Sequence, residues 1–373
     1  MSSEKTTEVE IRRQIAQARR VVVKVGSSSL ASAATGLDLA RLASLVAVLA
    51  KRQLAGSEVI LVTSGAIAAG LEPLGFTRRP HDLAQQQAAA AVGQGLLMTA
   101  YTQAFAEHGI RTAQILLTKE DLANKESYSN ALRTFGALTR LAVLPVVNEN
   151  DTVATQEIRF GDNDHLAALV AELVRANALV LLSDVDGLYT EHPGNPGAKR
   201  VSFVPAVSEL TAEVHRPGSS GVGRGGMATK IGAAELAGAA GIPVGLARWD
   251  QAAAILAGED VGTVFGAATK RWSRRHGWLA HAASAAGQLH IDHGAETALT
   301  TTAASLLAAG IAWVDGDFKA GDSVEVVSPA GVVIGRGVVA FDSAVLPTML
   351  GRTHQSKPVI HRDDLVMAPT QGG

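Results

Sequence analysis

At 373 residues, 47% of them hydrophobic and 18% charged, the chain is long enough for about two domains and apolar enough to build their cores. A net charge of −2 gives no global basic field for nucleic acid, and no apolar run approaches the ~18 residues that span a bilayer. The lack of cysteine removes disulfides, thiolate metal sites and thiol nucleophiles; with a polar start that has no signal-peptide pattern, it leads to the expectation of a cytoplasmic protein.

Residues 1–19, the bulk of "MSSEKTTEVEIRRQIAQARR", are mostly polar and read as an N-terminal extension, at most a short amphipathic helix without a part in the chemistry. "RVVVKVG" (20–26) reads as a strand. "DLARLASLVAVLAKRQLAG" (38–56) reads as a helix, because Leu39, Leu42, Leu45, Val46 and Leu49 recur at helical spacing and Gly56 supplies a stop. Further apolar runs at 58–63, 112–118, 141–148, 178–183 and 242–247 read as strands, with a helix starting near Thr229 before the last. Strands apolar throughout and separated by helices predict an α/β domain over 20–266, a three-layer sandwich with a mostly parallel central sheet.

The pattern changes after Gly266. Residues 267–287 mix small side chains with Lys270, Arg271, Arg274 and Arg275 and read as a linker. "DSVEVVSPAGVVIGRGVV" (322–339) alternates around "SPAG", a hairpin pattern inside a small β-rich domain at 288–370. From 287 to 373 there are five Lys and Arg against nine Asp and Glu, a balance of −4, which argues against RNA binding by this domain.

Ligands of an open parallel sheet bind beyond the carboxyl ends of its strands. The segments expected there are "KVGSSS" with Lys24, "SGAIAAG" with Ser64, "NENDTV" with Asn148 and Asp151, and "SDVDGLY" with Ser183 and Asp184. Between the last two lies "RFGDNDHLAAL", in which Asp162, Asn163 and Asp164 open a helix buried through Leu166, Leu169, Val170 and Leu173. "GRGGMATK" (223–230) has the glycines and the lysine of a phosphate cradle but not the P-loop spacing. Each segment alone has an ordinary reading as a turn, a cap or a solvated strand end. Their convergence on one sheet end points to phosphoryl transfer: two lysines for the moving charge, glycine N–H groups for anionic oxygens and carboxylates suited to Mg²⁺.

Taken in order, "VVVKVGSSSL", "VTSGAIAAG", "AAVGQ", "PVVNENDTVAT", "RFGDNDHLAALVA", "LVLLSDVDGLYT" and "SGVGRGGMATKIGAAELA" resemble the glutamate 5-kinase family of the amino acid kinase superfamily. "KAGDSVEVV" and "HRDDLV" resemble the PUA domain that many bacterial members carry, so the resemblance runs from about 19 to 369. It implies the amino acid kinase fold, ATP and Mg²⁺ as cofactors, and phosphorylation of the γ-carboxylate of L-glutamate as the first step of proline synthesis. Carried over, Lys24, Lys230 and Asp164 are catalytic. Ser64, Asn148, Asp151, Asp162 and Asn163 bind glutamate. Ser183, Asp184 and the run Arg224, Gly225, Gly226, Met227, Ala228, Thr229 and Lys230 line the ATP site together with Lys24, and no residue is assigned to a dedicated metal site. Proline as feedback inhibitor and a homo-oligomer, dimer or tetramer, are implied by the same resemblance.

The chain departs from the family where Arg224 replaces a usual threonine, Ala228 a frequent serine, Ser183 a common threonine and Arg159 a lysine. Arg224 is expected to face solvent. The competing readings are a sister kinase acting on N-acetylglutamate, aspartate, carbamate or UMP, an RNA-binding C-terminal domain, and a non-catalytic amino-acid sensor. The acidic and amide set at 148–164 favours a substrate with a free ammonium.

Overall fold

The computed structural model describes residues 7–32, 36–153, 163–191, 195–207, 210, 226–267, 285–302, 304–351 and 357–367. They divide into two compact units, Met1–Lys119 with Ser129–Arg271 and Glu120–Tyr128 with Trp272–Gly373.

The first unit is organised by an eight-stranded sheet. Its strands are β1 (Arg20–Val25), β2 (Glu58–Val62), β3 (Arg111–Leu117), β4 (Val143–Glu149), β5 (Ala178–Ser183), β6 (Phe203–Val204), β7 (Val244–Arg248) and β8 (Thr263–Phe265). The spatial order is β6-β8-β7-β5-β1-β2-β4-β3, with every pairing parallel except β7 with β8. β1 and β5 lie at the centre and are buried along nearly their whole length, as expected of strands covered on both faces. The sheet therefore matches the parallel α/β core read from the sequence. The short strands β6 and β8, and the antiparallel pairing of β8 with β7, were not legible there.

Helices α1 (Glu8–Ala16), α2 (Leu39–Leu54), α3 (Ala66–Leu71), α4 (Leu83–Ala106), α5 (Asn163–Leu173), α6 (Met227–Ala239) and α7 (Ala252–Ala257) belong to this unit. α2 starts where expected, with the Asp38 side chain accepting from the Arg41 N–H, and ends before Gly56, whose φ of 94° is left-handed. α1 is no loose appendage. Ile11 and Ile15 are buried in the main core, and the buried Arg12 guanidinium donates to the carbonyls of Glu259 and Val261 while pairing with Glu8 and Asp260. Two apolar residues one helical turn apart suffice to dock the helix, although most of its residues are polar.

The contact between α3 and α4 is made by main chain. A Cβ placed on Gly70 would sit 1.9 Å from the Ala89 carbonyl oxygen, and one on Gly93 would sit 1.8 Å from that of Ala66. Only glycine permits that approach.

At the far end of α5, Glu172 is buried and its Oε1 has no hydrogen-bond partner among the described residues. Burial pushes its carboxyl up to about 7. A raised folded value means that stability is fully present below the ordinary glutamate range and is lost as pH rises through about 7. Glu172→Gln is therefore expected to match the parent protein below about pH 4 and to gain on the order of 3 kcal/mol near pH 8. Chemical denaturation at the two pH values measures this; equal stabilities at both would refute it.

The second unit contains a five-stranded sheet of β9 (Gly287–Ile291), β10 (Ile311–Gly316), β11 (Ser323–Val327), β12 (Val333–Val338) and β13 (Leu365–Met367), in the order β10-β9-β11-β12-β13. β11 and β12 pair antiparallel, forming the hairpin expected around "SPAG". Leu289, Ile291, Phe318, Val324, Val326 and Ile360 fill a separate core.

Candidate active site

Three elements bring one carboxylate between two ammonium groups. Lys24 is the fifth residue of β1, Asp164 the second residue of α5, and Lys230 lies in the first turn of α6. Lys24 Nζ is 2.6 Å from Asp164 Oδ1, and Lys230 Nζ is 3.2 Å from Oδ2. Thr229 Oγ1 donates to the same Oδ2 at 2.9 Å. All three charged groups are nearly sealed, at 4%, 1% and 5% exposure. Burial pushes the Asp164 carboxyl up, but the charges of Lys24 and Lys230 and the hydrogen bonds from Lys24 and Thr229 outweigh it and hold the group below the ordinary aspartate range. The carboxylate thus stays ionised and keeps both ammonium groups charged, with one net positive charge left for an anionic partner.

Next to Asp164 an amide network extends to the opposite side. Asn163 Nδ2 lies within hydrogen-bond distance of Ser64 Oγ at 2.9 Å, of Asn148 Oδ1 at 2.8 Å and of the Thr63 carbonyl, three oxygens that share its two N–H groups. Ser64 sits between β2 and α3, where Gly65 turns the chain with a φ of 104°. Asn148, near the end of β4, donates its Nδ2 to Gln94 Oε1 at 2.8 Å. Asn163 Oδ1 is buried and has no hydrogen-bond partner among the described residues. A buried acceptor left open beside a functional cluster is unusual and suits an incoming donor.

Asp151 follows β4 in a turn and is half-buried. Burial and the neighbouring Glu149 push its carboxyl up to about 7, against the opposing charge of Arg79. Arg79 is held in turn by two hydrogen bonds to Oε1 of Gln86, a buried residue in the first turn of α4. Ser183 ends β5 and donates to Asp184 Oδ1 at 2.9 Å, and the Gly26 N–H donates to the adjoining Leu182 carbonyl. Gly226 caps α6, Met227 and Ala228 occupy its first turn, and Thr229 Oγ1 lies within 2.9 Å of the Gly226 carbonyl.

The structure thus brings together Lys24, Asp164, Thr229 and Lys230 in one cluster and Ser64, Asn148 and Asn163 in a second, joined through residues 163–164. Asp151 and the Ser183–Asp184 pair share no direct hydrogen bond with either cluster among the described contacts. Asp162, Arg224 and Gly225, with Arg159, lie outside the described residues. Gln94, Glu149, Arg79 and Gln86 were not singled out in the sequence. Glu149 stands inside "NENDTV", whereas Gln94 had no signal beyond its place at the end of "AAVGQ", in a helix that carries several other glutamines.

Residues 19–247 match the model of the amino acid kinase family, and residues 287–359 match that of the PUA domain. The glutamate 5-kinase of Streptomyces avermitilis is 54% identical, over 95% of this chain and 98% of that protein. The chain belongs to the glutamate 5-kinase family. The Thermobifida fusca member is 50% identical over 96% of this chain and 95% of its own, so family likeness extends across both units. Among solved structures, a carbamate kinase from Giardia lamblia bound to AMP-PNP superposes with a TM-score of 0.51 at 18% identity, covering 68% of this chain and all of that one. At that identity the likeness concerns the fold alone. No helix among the described residues is long and apolar enough to cross a membrane.

Proposed function

We propose that the chain transfers the γ-phosphoryl group of ATP to the γ-carboxylate of L-glutamate, giving L-glutamyl 5-phosphate, the first intermediate on the route to proline. The observation that carries this reading is the single buried Asp164 held between Lys24 and Lys230, beside the open acceptor on Asn163. The nucleophile is a carboxylate oxygen already ionised at neutral pH, so the reaction needs no general base. It needs instead to align two anions and to offset the charge of the moving phosphoryl group. In this reading Lys24 and Lys230 supply the offsetting charge, and Asp164 keeps both ammonium groups protonated and aimed. Ser64, Asn148, Asn163 and Asp151 receive glutamate, and Asp162 completes that set. Ser183, Asp184 and the run from Arg224 to Lys230 receive the nucleotide.

Among the described residues no group of three or more His, Asp or Glu side chains is placed to hold a metal ion, and Asp164 is already engaged by both lysines. This donor set fits magnesium entering with ATP as part of the substrate, held chiefly by phosphate oxygens. Proline shares an α-carboxylate and an amine with glutamate, which supports inhibition at or beside the amino-acid subsite. Exposed Val92 and Leu96 on α4 support assembly into a homo-oligomer, dimer or tetramer, and the absence of cysteine supports a cytoplasmic setting.

ADP release with L-glutamate, aspartate, N-acetylglutamate, carbamate or UMP as acceptor tests the reading, with hydroxylamine to trap the acyl phosphate. L-glutamate is expected to be the preferred acceptor and proline to suppress the signal. Faster turnover with N-acetylglutamate would overturn the substrate assignment. Because Asp151 ionises only near pH 7, half-saturating glutamate is expected to fall as pH rises from about 6 to about 8. Asp151→Asn should leave it near the parent's value at about pH 6, raise it at about pH 8 and so flatten that dependence. An unaltered pH profile in the variant would remove Asp151 from the subsite.

A further inference from the structure

Three side-chain amides run in series from α4 to the open oxygen of the amino-acid subsite. Gln94 Oε1 accepts from Asn148 Nδ2 at 2.8 Å. Asn148 Oδ1 accepts from Asn163 Nδ2 at 2.8 Å and from the Glu149 backbone N–H at 2.9 Å. Asn163 Nδ2 faces two more oxygens, Ser64 Oγ and the Thr63 carbonyl, which leaves its Oδ1 buried and bare. An amide has a donor end and an acceptor end of nearly the same shape, so the order along such a series decides which end is offered to a ligand. Main chain anchors the order at both asparagines, the Glu149 N–H giving to Asn148 Oδ1 and the Thr63 carbonyl accepting from Asn163 Nδ2, and Gln94 Oε1 holds the Nδ2 of Asn148. With its carbonyl toward Asn148, Gln94 requires Asn148 to present NH₂ to it and oxygen to Asn163. Asn163 must then spend its NH₂ inward and turn its oxygen outward. Had the series run the other way, Asn163 would present a donor, which repels an ammonium.

We propose that Gln94 is a positioning residue for the amino-acid substrate, holding the Asn148 amide in place so that the Asn148–Asn163 pair keeps the polarity in which Asn163 offers a carbonyl oxygen to the substrate α-ammonium. The inference rests on the glutamate reading above. Gln94 is itself well placed to be rigid. It follows Gly93, where α4 meets the main chain of α3, and α3 starts just after Ser64. The α3–α4 contact thereby ties Gln94 to Ser64, which Asn163 at the start of α5 meets through its Nδ2.

The test compares Gln94→Met, which keeps the length but cannot accept, with Gln94→Glu, which still accepts from Asn148. Steady-state kinetics are read for L-glutamate and for ATP, with glutarate, which lacks the ammonium, as a competitive inhibitor. Gln94→Met is expected to raise the KM for L-glutamate about tenfold, the size of one lost hydrogen bond. Its kcat, its KM for ATP and its inhibition constant for glutarate should stay within about twofold. Gln94→Glu should return the KM for glutamate to within about threefold of the parent. The proposal is overturned if Gln94→Met leaves the glutamate KM unchanged, if glutarate weakens in parallel, or if Glu and Met behave alike. Thermal unfolding of both variants accompanies the kinetics, and a fall in midpoint common to both, with turnover lost, would assign Gln94 to packing instead. Failure of the parent enzyme to turn over L-glutamate would be a separate result, bearing on the substrate and not on Gln94.

Discussion

Replacing Lys230 with methionine is expected to lower turnover about 10²–10³-fold, the usual effect of deleting one preorganised donor to a transition state. The fold should tolerate the change, because Asp164 keeps Lys24 at 2.6 Å and the Thr229 hydroxyl at 2.9 Å and is not left as a lone buried charge. Half-saturating L-glutamate should stay within about twofold, since no contact in the Ser64–Asn148–Asn163 network passes through Lys230. The measurement is initial rate against glutamate at saturating ATP, with the folded state checked by thermal unfolding. Near-normal turnover in a folded Lys230→Met enzyme would defeat the two-lysine mechanism. A matched rise in glutamate KM with unchanged turnover would move Lys230 from the reacting group to substrate binding.

Asp164 is expected to give the larger combined effect on stability and rate. Asp164→Asn keeps the shape but leaves two buried ammonium groups facing a neutral amide. Breaking a buried ion pair by removing one partner costs roughly 3–5 kcal/mol. In the parent protein the Asp164 carboxyl is held below its ordinary range, so its contribution to stability is fully present above that range and is lost only as pH falls through the depressed value. In the variant the sign reverses. The lysines lose their counter-charge, and burial then disfavours their charged forms. The stability deficit of Asp164→Asn is therefore expected to shrink as pH climbs from about 8 toward 10, while turnover stays suppressed throughout. Urea titrations across that pH range read this directly, and a deficit independent of pH would show that the triad is not held together by charge.

The part of this architecture that could be read in the sequence is the part built from continuous apolar runs. β1 and β5 are legible because nearly every residue in them is buried, and α2 because its leucines repeat at helical spacing between Asp38 and Gly56. Strands β6 and β8 have two and three residues, too few for any periodicity, and the antiparallel pairing of β8 with β7 depends on tertiary contacts. The docking of α1 was hidden for a related reason, since Ile11, Ile15 and a buried Arg12 are outnumbered by polar neighbours. At the site, the rule that ligands meet a parallel sheet beyond its carboxyl ends was enough to gather Lys24, Ser64, Asn148 and Ser183. That Asp164 touches both lysines depends on α5 and α6 packing side by side, which no local spacing encodes. Gln94 was least legible, because a glutamine in a helix of small residues carries no sign of the amide that will face it across 54 positions of chain.

The meeting of Gly70 and Gly93 with opposing carbonyls has an evolutionary consequence. Where side chains fill a seam, drift can trade one shape for another and retune the spacing by fractions of an ångström. Here the closest approach is made by peptide groups, with Ile67, Leu71, Ala89 and Ala90 packed beside it, and even one methyl at either glycine would pry the seam apart. The amino-acid flank therefore has a fixed gauge, and selection for a different acceptor has to work on the residues standing upon it.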